Sequence, residues 1–575
     1  MPINQSEHRG YTPTKMSKRP QIVSVLAGLV LFATVCFSQV QTAKPNEELC
    51  TISGMVVRRA DSGPLKGAMV QLVSDVDKEH TIAAKTTADG QFELRNVPAG
   101  QYRLKVTRNG FVEQEYGQKK PGDPGATFTL REGQMMRDLI FKLGRAAVIT
   151  GRIYDDDGEL MPMVFVTAMR EGYKEGRKQL EIAAVDRTND LGAYRLYGLS
   201  PGRYFVSAQN QQWDRVVGDP EFSAPNKSGG ERGYTKIYYP NATEPGKASS
   251  LPVKEGEEIP SIDILMKEVP VYRIRGKVIN LVSTHKGRQT TLEITRRGQN
   301  VQWDFIGGRS VTKLDGTFEI PEMAPGEYTI MAFLYDEGKS CSTQEDVDVV
   351  NADVDGLTLT IAVGVNIPGR VLWDGKPSIE AEGMRVFAAA PQFGSIWGGE
   401  AHVEANDQFT LKEVPQGAFR LEVSGIGKDC YIQEIRQGES VLSDTVFRVT
   451  RGSATGLEIT VNCRGARLEG RVLNEESVPV AGVWVAAIPE EAKRTLHRLC
   501  KSVTTYQYGR YDLRGLAPGK YKVFSWDGIE RGAWEDEDFL KQFEEKGVSV
   551  EVKDGDTQAS ELKLIQVKES TGKSE

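Results

Sequence analysis

Hydrophobic and polar residues alternate through much of this chain, and one alternating stretch, residues 88–102, defines its organisation. Phe92 and Leu94 alternate with polar neighbours, and a second alternating run starts at Tyr102 and continues through Leu104. A period of two predicts a strand with one buried face. The stretch therefore predicts a turn, a strand, a short loop and a second strand, with two aromatic side chains in a core.

The part of this stretch from Gly90 to Tyr102, a sequence motif that we call the phrase, occurs five times without an insertion or a deletion. The copies run from Gly90 to Tyr102, Gly192 to Tyr204, Gly316 to Tyr328, Asp407 to Phe419 and Gly509 to Tyr521. Each copy ends on an aromatic residue twelve positions after its first residue. Five ungapped copies indicate a repeat protein.

The first position of the phrase is Gly in four copies and Asp407 in the fourth. Asp and Asn are the residues other than Gly that best tolerate a left-handed backbone. We therefore predict a positive φ at this position in every copy, in a tight turn that leads into the Phe/Tyr strand.

Each repeat also has a recognisable start and end. The start is a glycine followed, two residues later, by Val or Ile, and these glycines are Gly54, Gly151, Gly276, Gly369 and Gly470. The end is another alternating strand, such as residues 357–361 or 457–461. Short alternating strands between turns are typical of antiparallel β-sandwiches. The pattern predicts an all-β chain of five tandem sandwiches.

The chain of 575 residues is too long for a single core and divides naturally at these repeats. We predict sandwich domains at residues 50–145, 146–270, 271–364, 365–464 and 465–567, and a polar tail at 568–575. Helix should make up less than a tenth of the mature chain. The fifth repeat should contain a short helix at 536–543, with Phe539, Leu540 and Phe543 on the face that packs on the sandwich.

The N-terminal 38 residues differ from the rest of the chain. Arg9, Lys15, Lys18 and Arg19 precede an apolar run from 22 to 35. This order predicts a secretory signal peptide over 1–38 that exports the protein to the periplasm, the outer cell envelope or the medium. The alternative is an uncleaved N-terminal membrane anchor, which would be the protein's only membrane contact, but the apolar run is shorter than a membrane span requires.

Composition argues against several classes of function. The net charge of −7 gives no indication of nucleic-acid binding. The chain has five His residues and neither an H-x-x-E nor a G-x-S-x-G motif, so we expect no enzyme, no metal and no cofactor. His497 with Cys500 could form a nucleophile pair, and Asp155–Asp157 could bind calcium. In both cases an ordinary turn of a sandwich is the favoured interpretation.

Five cysteines would remain after signal cleavage, namely Cys50, Cys341, Cys430, Cys463 and Cys500. An exported protein can form disulfides, and an odd number leaves at least one cysteine unpaired. Cys430 and Cys463 lie in one repeat and are the candidate disulfide.

The opening Gly-x-Val, a central G-x-P-x-x-x-A-x-V element and the D-G-x-F-x-L…P-x-G-x-Y phrase resemble the carboxypeptidase regulatory-like domain. The resemblance implies a transthyretin/Ig-like sandwich, placed structurally with carbohydrate-binding-like folds, and tandem forms in exported bacterial proteins. The third and fourth repeats lack the central element. The repeats also resemble the B-repeats of Gram-positive adhesins, whose Lys–Asn cross-link we do not expect here, because Lys277 is the only Lys in an opening Gly-x-Val element.

Aromatic residues in predicted loops outside the repeat register are candidates for ligand binding, since those inside the register belong to cores. These candidates are Trp213, Tyr238, Tyr239, Phe393 and Trp397. They support a non-enzymatic protein that binds carbohydrate or another envelope polymer. The alternatives are a structural stalk or protein-interaction scaffold at the envelope, or an accessory subunit of a separate peptidase.

Overall fold

The computed structural model describes residues 49–74, 81–174, 176–210, 232–282, 290–298, 310–336, 339–375, 383–389, 398–442, 445–450 and 455–567. The predicted signal peptide at 1–38 and the tail at 568–575 lie outside these residues. The structure is nearly all β, with 5% helix, which confirms the predicted fold class.

The strands follow the five repeats in order. The first repeat contains β1 (Cys50–Arg58), β2 (Met69–Ser74), β3 (Thr81–Lys85), β4 (Gln91–Val97), β5 (Gly100–Thr107), β6 (Gln114–Glu115), β7 (Phe128–Leu130) and β8 (Met135–Leu143). The second contains β9 (Ala147–Tyr154), β10 (Phe165–Lys174), β11 (Arg177–Arg187), β12 (Ala193–Leu199), β13 (Gly202–Gln209), β14 (Arg232–Tyr234), β15 (Ile237–Tyr238), β16 (Leu251–Val253), β17 (Glu258–Ile259), β18 (Ile264–Leu265) and β19 (Glu268–Pro270).

The third repeat contains β20 (Tyr272–Asn280), β21 (Thr291–Arg296), β22 (Ser310–Val311), β23 (Thr317–Met323), β24 (Gly326–Asp336), β25 (Lys339–Val349) and β26 (Val354–Ile361). The fourth contains β27 (Val365–Asp374), β28 (Arg385–Ala389), β29 (Glu400–His402), β30 (Gln408–Val414), β31 (Gly417–Ser424), β32 (Tyr431–Gln437), β33 (Ser440–Val441), β34 (Val446–Val449) and β35 (Leu457–Asn462).

The fifth repeat contains β36 (Ala466–Leu473), β37 (Trp484–Pro489), β38 (Lys501–Thr504), β39 (Arg510–Leu516), β40 (Gly519–Asp527), α1 (Glu537–Lys541), β41 (Val548–Val552), β42 (Thr557–Lys563) and β43 (Ile565–Gln566). The domain boundaries proposed from the sequence stay a prediction.

One sheet of each repeat is built around its opening strand. In the first repeat the strand order is β4-β1-β8, and the same order recurs as β23-β20-β26 and β39-β36-β42. The first strand of the phrase is antiparallel to the opening strand, whereas the closing strand is parallel to it. This parallel pair departs from a purely antiparallel sandwich. It forms because the chain crosses to the second sheet and back before its closing strand enters the first one.

The two strands of the phrase belong to different sheets. The second strand joins sheets such as β3-β2-β5 and β38-β37-β40-β41, so the short loop of the phrase carries the chain across the core. The closing tyrosine holds this crossing in place. Its hydroxyl donates to the carbonyl four residues earlier, for Tyr102, Tyr204, Tyr328 and Tyr521 at 2.9, 2.8, 2.6 and 2.9 Å. The fourth copy has Phe419 and makes no such bond.

The opening glycine lies where the chain has no room for a side chain. A Cβ atom at Gly54, Gly151, Gly276 or Gly470 would come under 3.0 Å from the backbone oxygen of a residue at or just before the closing strand. At Gly369 it would meet the ring of Phe409 under 3.0 Å. Glycine therefore lets the closing strand and the first aromatic of the phrase approach the opening strand.

The turn that begins the phrase has the predicted backbone. Gly90, Gly192, Gly316, Asp407 and Gly509 have φ values of 73, 62, 84, 62 and 67°. The prediction of a left-handed residue at this position is confirmed in all five copies.

In three repeats a buried threonine holds the turn that follows the opening strand. The hydroxyl groups of Thr86, Thr188 and Thr505 accept the backbone N–H of Ala68, Val164 and Val483, respectively. Each hydroxyl also donates to the backbone carbonyl three residues before that N–H, at Leu65, Met161 and Val480. These threonines satisfy backbone groups that would otherwise be buried without a partner.

We predict that Gly316→Val lowers the stability of the third repeat by on the order of 1–3 kcal/mol, because a β-branched residue is strained at positive φ. A Cβ there would also come under 3.0 Å from the Val278 carbonyl oxygen. Hydrogen exchange of the β23 amides measures the loss. The control is Gly298→Val, since Gly298 has a φ of 76° but nothing within 4 Å of its Cβ position. Equal protection in the two variants would contradict the role of this contact.

Candidate functional site

The structure corrects one of the predicted ligand-binding aromatics. Tyr238 is fully buried, because β15 pairs with β13 and draws the ring into a small cluster with Met169 and Leu180. A buried ring cannot serve as an exposed platform for a ligand. The sequence placed Tyr238 in a loop because strand β15 is only two residues long and has no alternation to reveal it.

The other candidate aromatics remain predictions. Tyr239 is half-buried and packs against the core of the second repeat. Trp213, Phe393 and Trp397 lie outside the described residues. Trp484, by contrast, is buried at 7% exposure, as expected for a core residue.

The His497–Cys500 region has the properties of a structural turn. His497 begins a short 3-10 turn, and its Nδ1 lies 3.4 Å from an oxygen of Glu535. Burial, reinforced by Glu535, raises the pKa of the Cys500 thiol to about 12. The thiolate, which would be the nucleophile, is therefore disfavoured at neutral pH.

The acidic turn of the second repeat uses its carboxylates for its own backbone. Asp155 accepts the N–H groups of Asp157 and Glu159 at 3.1 and 2.8 Å, and Asp156 accepts that of Glu268. Within the described residues, no group of His, Cys, Asp and Glu side chains could hold a metal ion.

Cys430 and Cys463 form a disulfide that joins the start of β32 to the end of β35. Cys50 and Cys341 are buried outside this disulfide, and the Cys50 thiol donates to the carbonyl of Arg131 at 2.9 Å. The bridge lies beside the fifth repeat, where the N–H of Gly465 donates to Asp429 and the Tyr431 hydroxyl donates to Asp554. It therefore braces the connection between the last two repeats.

The insertion after Trp526 covers the outer face of a sheet in the fifth repeat. Every residue of β37 is buried, because alternate side chains face the core of the sandwich and a second apolar cluster. This second cluster contains Trp484, Trp526 and Trp534, and the rings of Trp484 and Trp534 lie 4.9 Å apart. The insertion thus creates an additional core outside the sandwich.

The predicted short helix is part of this cover. α1 begins after Asp536, whose carboxylate accepts the N–H of Phe539 at 2.8 Å as an N-cap. Leu540 and Phe543 are buried and Phe539 is partly buried in the outer cluster, which confirms the predicted packing face.

A hairpin of the second repeat contacts this insertion. β10 and β11 form a long hairpin, and the Tyr173 ring near its tip lies 6.5 Å from that of Phe539. At the same tip, a Cβ on Gly176 would come under 3.0 Å from the backbone oxygen of Glu535. The second and fifth repeats therefore touch through backbone as well as side chains, although two repeats separate them in sequence.

The first and fifth repeats also pack closely, with the backbone of one against the backbone of the other. A Cβ on Gly482 would come under 3.0 Å from the backbone oxygen of Gly117. The N–H of Gln507 points to the carbonyl of Thr127 at 3.5 Å, and Gly528 packs on the Lys120 side chain. We call the contacts of the fifth repeat with the first two, made by residues 117–127, 173, 176, 482–484, 507 and 528–539, the junction.

A cleft of about 580 Å³ opens beside the junction, between the first and fifth repeats. Its walls combine hydrogen-bonding side chains with a short apolar shelf. The lining residues include Gln114, Lys119, Pro479, Val480, Asp527 and Gln566. No catalytic arrangement of these residues is apparent, since the cleft contains neither a His nor a Cys.

One buried carboxyl group lies in the junction. Asp123 is 9% exposed, and its pKa is raised to about 6, first by burial and then by the nearby Glu530 carboxylate of the fifth repeat. Trp484, and then Lys120 and Arg170, oppose this shift only in part. In the folded protein, the neutral form of Asp123 therefore persists up to about pH 6, about two pH units higher than for an exposed aspartate.

We predict that the first repeat and its junction lose stability as the pH rises from about 4 through about 6. A carboxyl group whose pKa is higher in the folded than in the unfolded state binds its proton more tightly when folded, so folding is favoured below that range. The loss at pH 8 should be on the order of 1–2 kcal/mol. Urea unfolding at pH 4.5, 6 and 8 measures it.

Asp123→Asn should abolish this component of the pH dependence, whereas Asp89→Asn, at an exposed position of the same repeat, should leave it unchanged. A pH profile that is the same in wild type and Asp123→Asn would contradict the prediction.

Comparison with solved structures finds low-similarity matches that include pilins and a collagen-binding protein. The minor pilin GBS52 of Streptococcus agalactiae is 14% identical, with a TM-score of 0.21, over 38% of this chain and 96% of the pilin chain. Two B repeat units of the collagen-binding protein of Staphylococcus aureus are 11% identical, with a TM-score of 0.12, over 72% and 100%. The TIE protein of Bacillus anthracis is 15% identical, with a TM-score of 0.15, over 55% of this chain and only 51% of its own.

At these values the matches carry no argument about function. No curated protein matches the chain. In the part of the chain that the structure describes, no helix is both long and apolar enough to cross a membrane. Residues 51–142 match the family model described as "Carboxypeptidase regulatory-like domain". This match confirms, for the first repeat, the resemblance to that family seen in the sequence.

Proposed function

We propose that this protein is an exported, non-enzymatic scaffold of the cell envelope whose sandwiches are held together in one rigid frame. The observation that carries the proposal is the junction. In a stalk, each domain touches only its neighbours in sequence, but here the fifth repeat contacts the first and second through backbone and a Trp-rich cluster.

Three further observations support this proposal. The insertion of residues 528–547 interrupts the repeat and supplies the surface on which the second repeat packs. The Cys430–Cys463 disulfide fits an oxidising compartment, in agreement with the predicted signal peptide. The groups that sequence offered for chemistry, Cys500 and the Asp155–Asp157 turn, have structural roles.

We predict that Gly482→Ala loosens the junction and raises the radius of gyration measured by small-angle X-ray scattering. A side chain at this position, where φ is 72°, would collide with the Gly117 carbonyl oxygen. The control is Gly158→Ala, since Gly158 has a φ of 82° in a turn of the second repeat with nothing within 4 Å. An unchanged radius in Gly482→Ala, or a wild-type radius typical of an extended array, would contradict the scaffold and favour the stalk.

Carbohydrate binding through loop aromatics is the second candidate function. It is supported by Tyr239, which keeps an accessible portion of its ring, and by the aromatic residues Trp213 and Trp397 outside the repeat register.

We predict that, on a glycan array, Tyr239→Ala and Trp397→Ala bind about fivefold more weakly than wild type, because stacking on an aromatic face contributes ~1 kcal/mol. Tyr197→Ala is the matched control, since Tyr197 is an exposed tyrosine on a strand of the same second repeat. Absence of glycan binding by wild type, or equal losses in the control, would contradict this candidate without affecting the scaffold.

A further inference from the structure

The closing strand of the first repeat forms an open edge with exposed apolar side chains. β8 is the last strand in the order β4-β1-β8, and within the described residues no strand pairs with its outer side. Met135 and Ile140 on this strand are 61% and 65% exposed. Long apolar edge strands readily pair with another strand, so proteins usually protect them.

The fourth repeat shows how a further strand can pair at the equivalent edge. Its closing strand β35 corresponds to β8, because Leu457 lies opposite the opening Gly369 as Leu139 lies opposite Gly54. The outer side of β35 pairs with β32 in antiparallel orientation. The architecture therefore accommodates an antiparallel strand at the position that is open in the first repeat.

The fifth repeat shows the protected form of the same edge. Thr557 and Glu561 of β42 occupy the positions of Met135 and Ile140 in β8, judged by their pairing with the opening strands. Both are polar and exposed. The apolar character of the β8 edge is thus absent from the same positions of the fifth repeat.

The sequence of the β8 edge is complementary to itself. Residues 135–140 read Met, Met, Arg, Asp, Leu, Ile, that is, two apolar residues, a cation, an anion and two apolar residues. Two copies related by a two-fold axis must pair antiparallel. With the axis between Arg137 and Asp138, Met135 faces Ile140 of the second copy, and Arg137 faces Asp138 of the second copy.

A bulge in β8 places Met135 and Ile140 on the same face of the sheet, as this pairing requires. In a regular strand, positions 135 and 140 would point to opposite faces of the sheet. Arg137 and Asp138 together lie opposite Ser53, and Asp138 has a φ of 59°, so one extra residue shifts the alternation. Met135 and Ile140 are consequently exposed on the same face, and the partly buried Met136 and Leu139 share the other.

The charges at the proposed axis are available for pairing. Arg137 donates to the sulfur of Met135 at 2.8 Å and lies near the exposed Glu93, and the Asp138 side chain is exposed beside it.

We propose that the first repeat is a dimerisation module, in which the β8 edges of two copies of this chain pair antiparallel about a two-fold axis between Arg137 and Asp138. The two three-stranded sheets then form one continuous six-stranded sheet. This inference goes beyond the proposed scaffold, because it specifies how one scaffold joins another. A strand pair of this length buries little surface, so the dimer should be weak and concentration-dependent.

Charge reversal tests the pairing on the whole exported chain. Wild type should show a concentration-dependent dimer in sedimentation velocity. Arg137→Asp should place two carboxylates opposite each other and Asp138→Arg two guanidinium groups, and each single variant should lower the dimer fraction at least tenfold. The double variant Arg137→Asp/Asp138→Arg should restore it, because the opposite charges again face each other.

A cysteine pair tests the register independently. Met135→Cys/Ile140→Cys should yield disulfide-linked dimers on oxidation, whereas Thr557→Cys/Glu561→Cys, at the matching positions of the fifth repeat, should not. Thermal melts verify that all variants are folded. A wild type that is monomeric at every concentration, a folded double variant without restored dimer, or equal cross-linking of the two cysteine pairs would each overturn the proposal.

Discussion

The absence of a side chain at the opening glycine is the constraint on which each sandwich depends. A backbone oxygen from the closing segment, or the first aromatic ring of the phrase, occupies the space that a Cβ would fill. In the second and fifth repeats the aromatic is a tyrosine, and the hydroxyls of Tyr194 and Tyr511 donate to carbonyls of that segment at 2.5 and 2.7 Å. The opening strand, the phrase and the closing strand therefore fix one another. This dependence explains why the phrase keeps its length while other parts of the repeats vary.

The variable parts make the contacts between repeats. The fifth repeat departs from the others after Trp526, and its insertion forms a second apolar cluster that contacts the β10–β11 hairpin. The fourth repeat adds β32 and a disulfide at its boundary with the fifth. A conserved sandwich thus supplies stability within each repeat, and the insertions determine which repeats touch. Burial at these contacts raises the pKa of Asp123, and from this shift we expect the association to depend on pH.

The described residues have structural roles in each place where chemistry seemed conceivable. The acidic turn satisfies its own backbone, and the Cys500 thiol is buried with a raised pKa. What distinguishes one repeat from another is the surface: an apolar edge on the first, a half-buried tyrosine on the second and a covered face on the fifth. Differences of this kind are the basis of the scaffold and the dimerisation that we propose.

The sequence alone determined the repeat, the strand alternation, the left-handed turn and the packing face of the short helix, because each follows from local spacing and from the backbone preferences of Gly and Asp. It could not reveal that the two strands of the phrase lie in different sheets, since a hairpin and a crossing between sheets have the same alternation. It also placed Tyr238 in a loop, although pairing with a distant strand buries that ring. The junction depends on contacts across hundreds of residues, such as Gly117 with Gly482, and no local pattern encodes which surfaces meet. Only the tertiary structure decides those contacts, because they depend on the orientation that each insertion imposes on its neighbours.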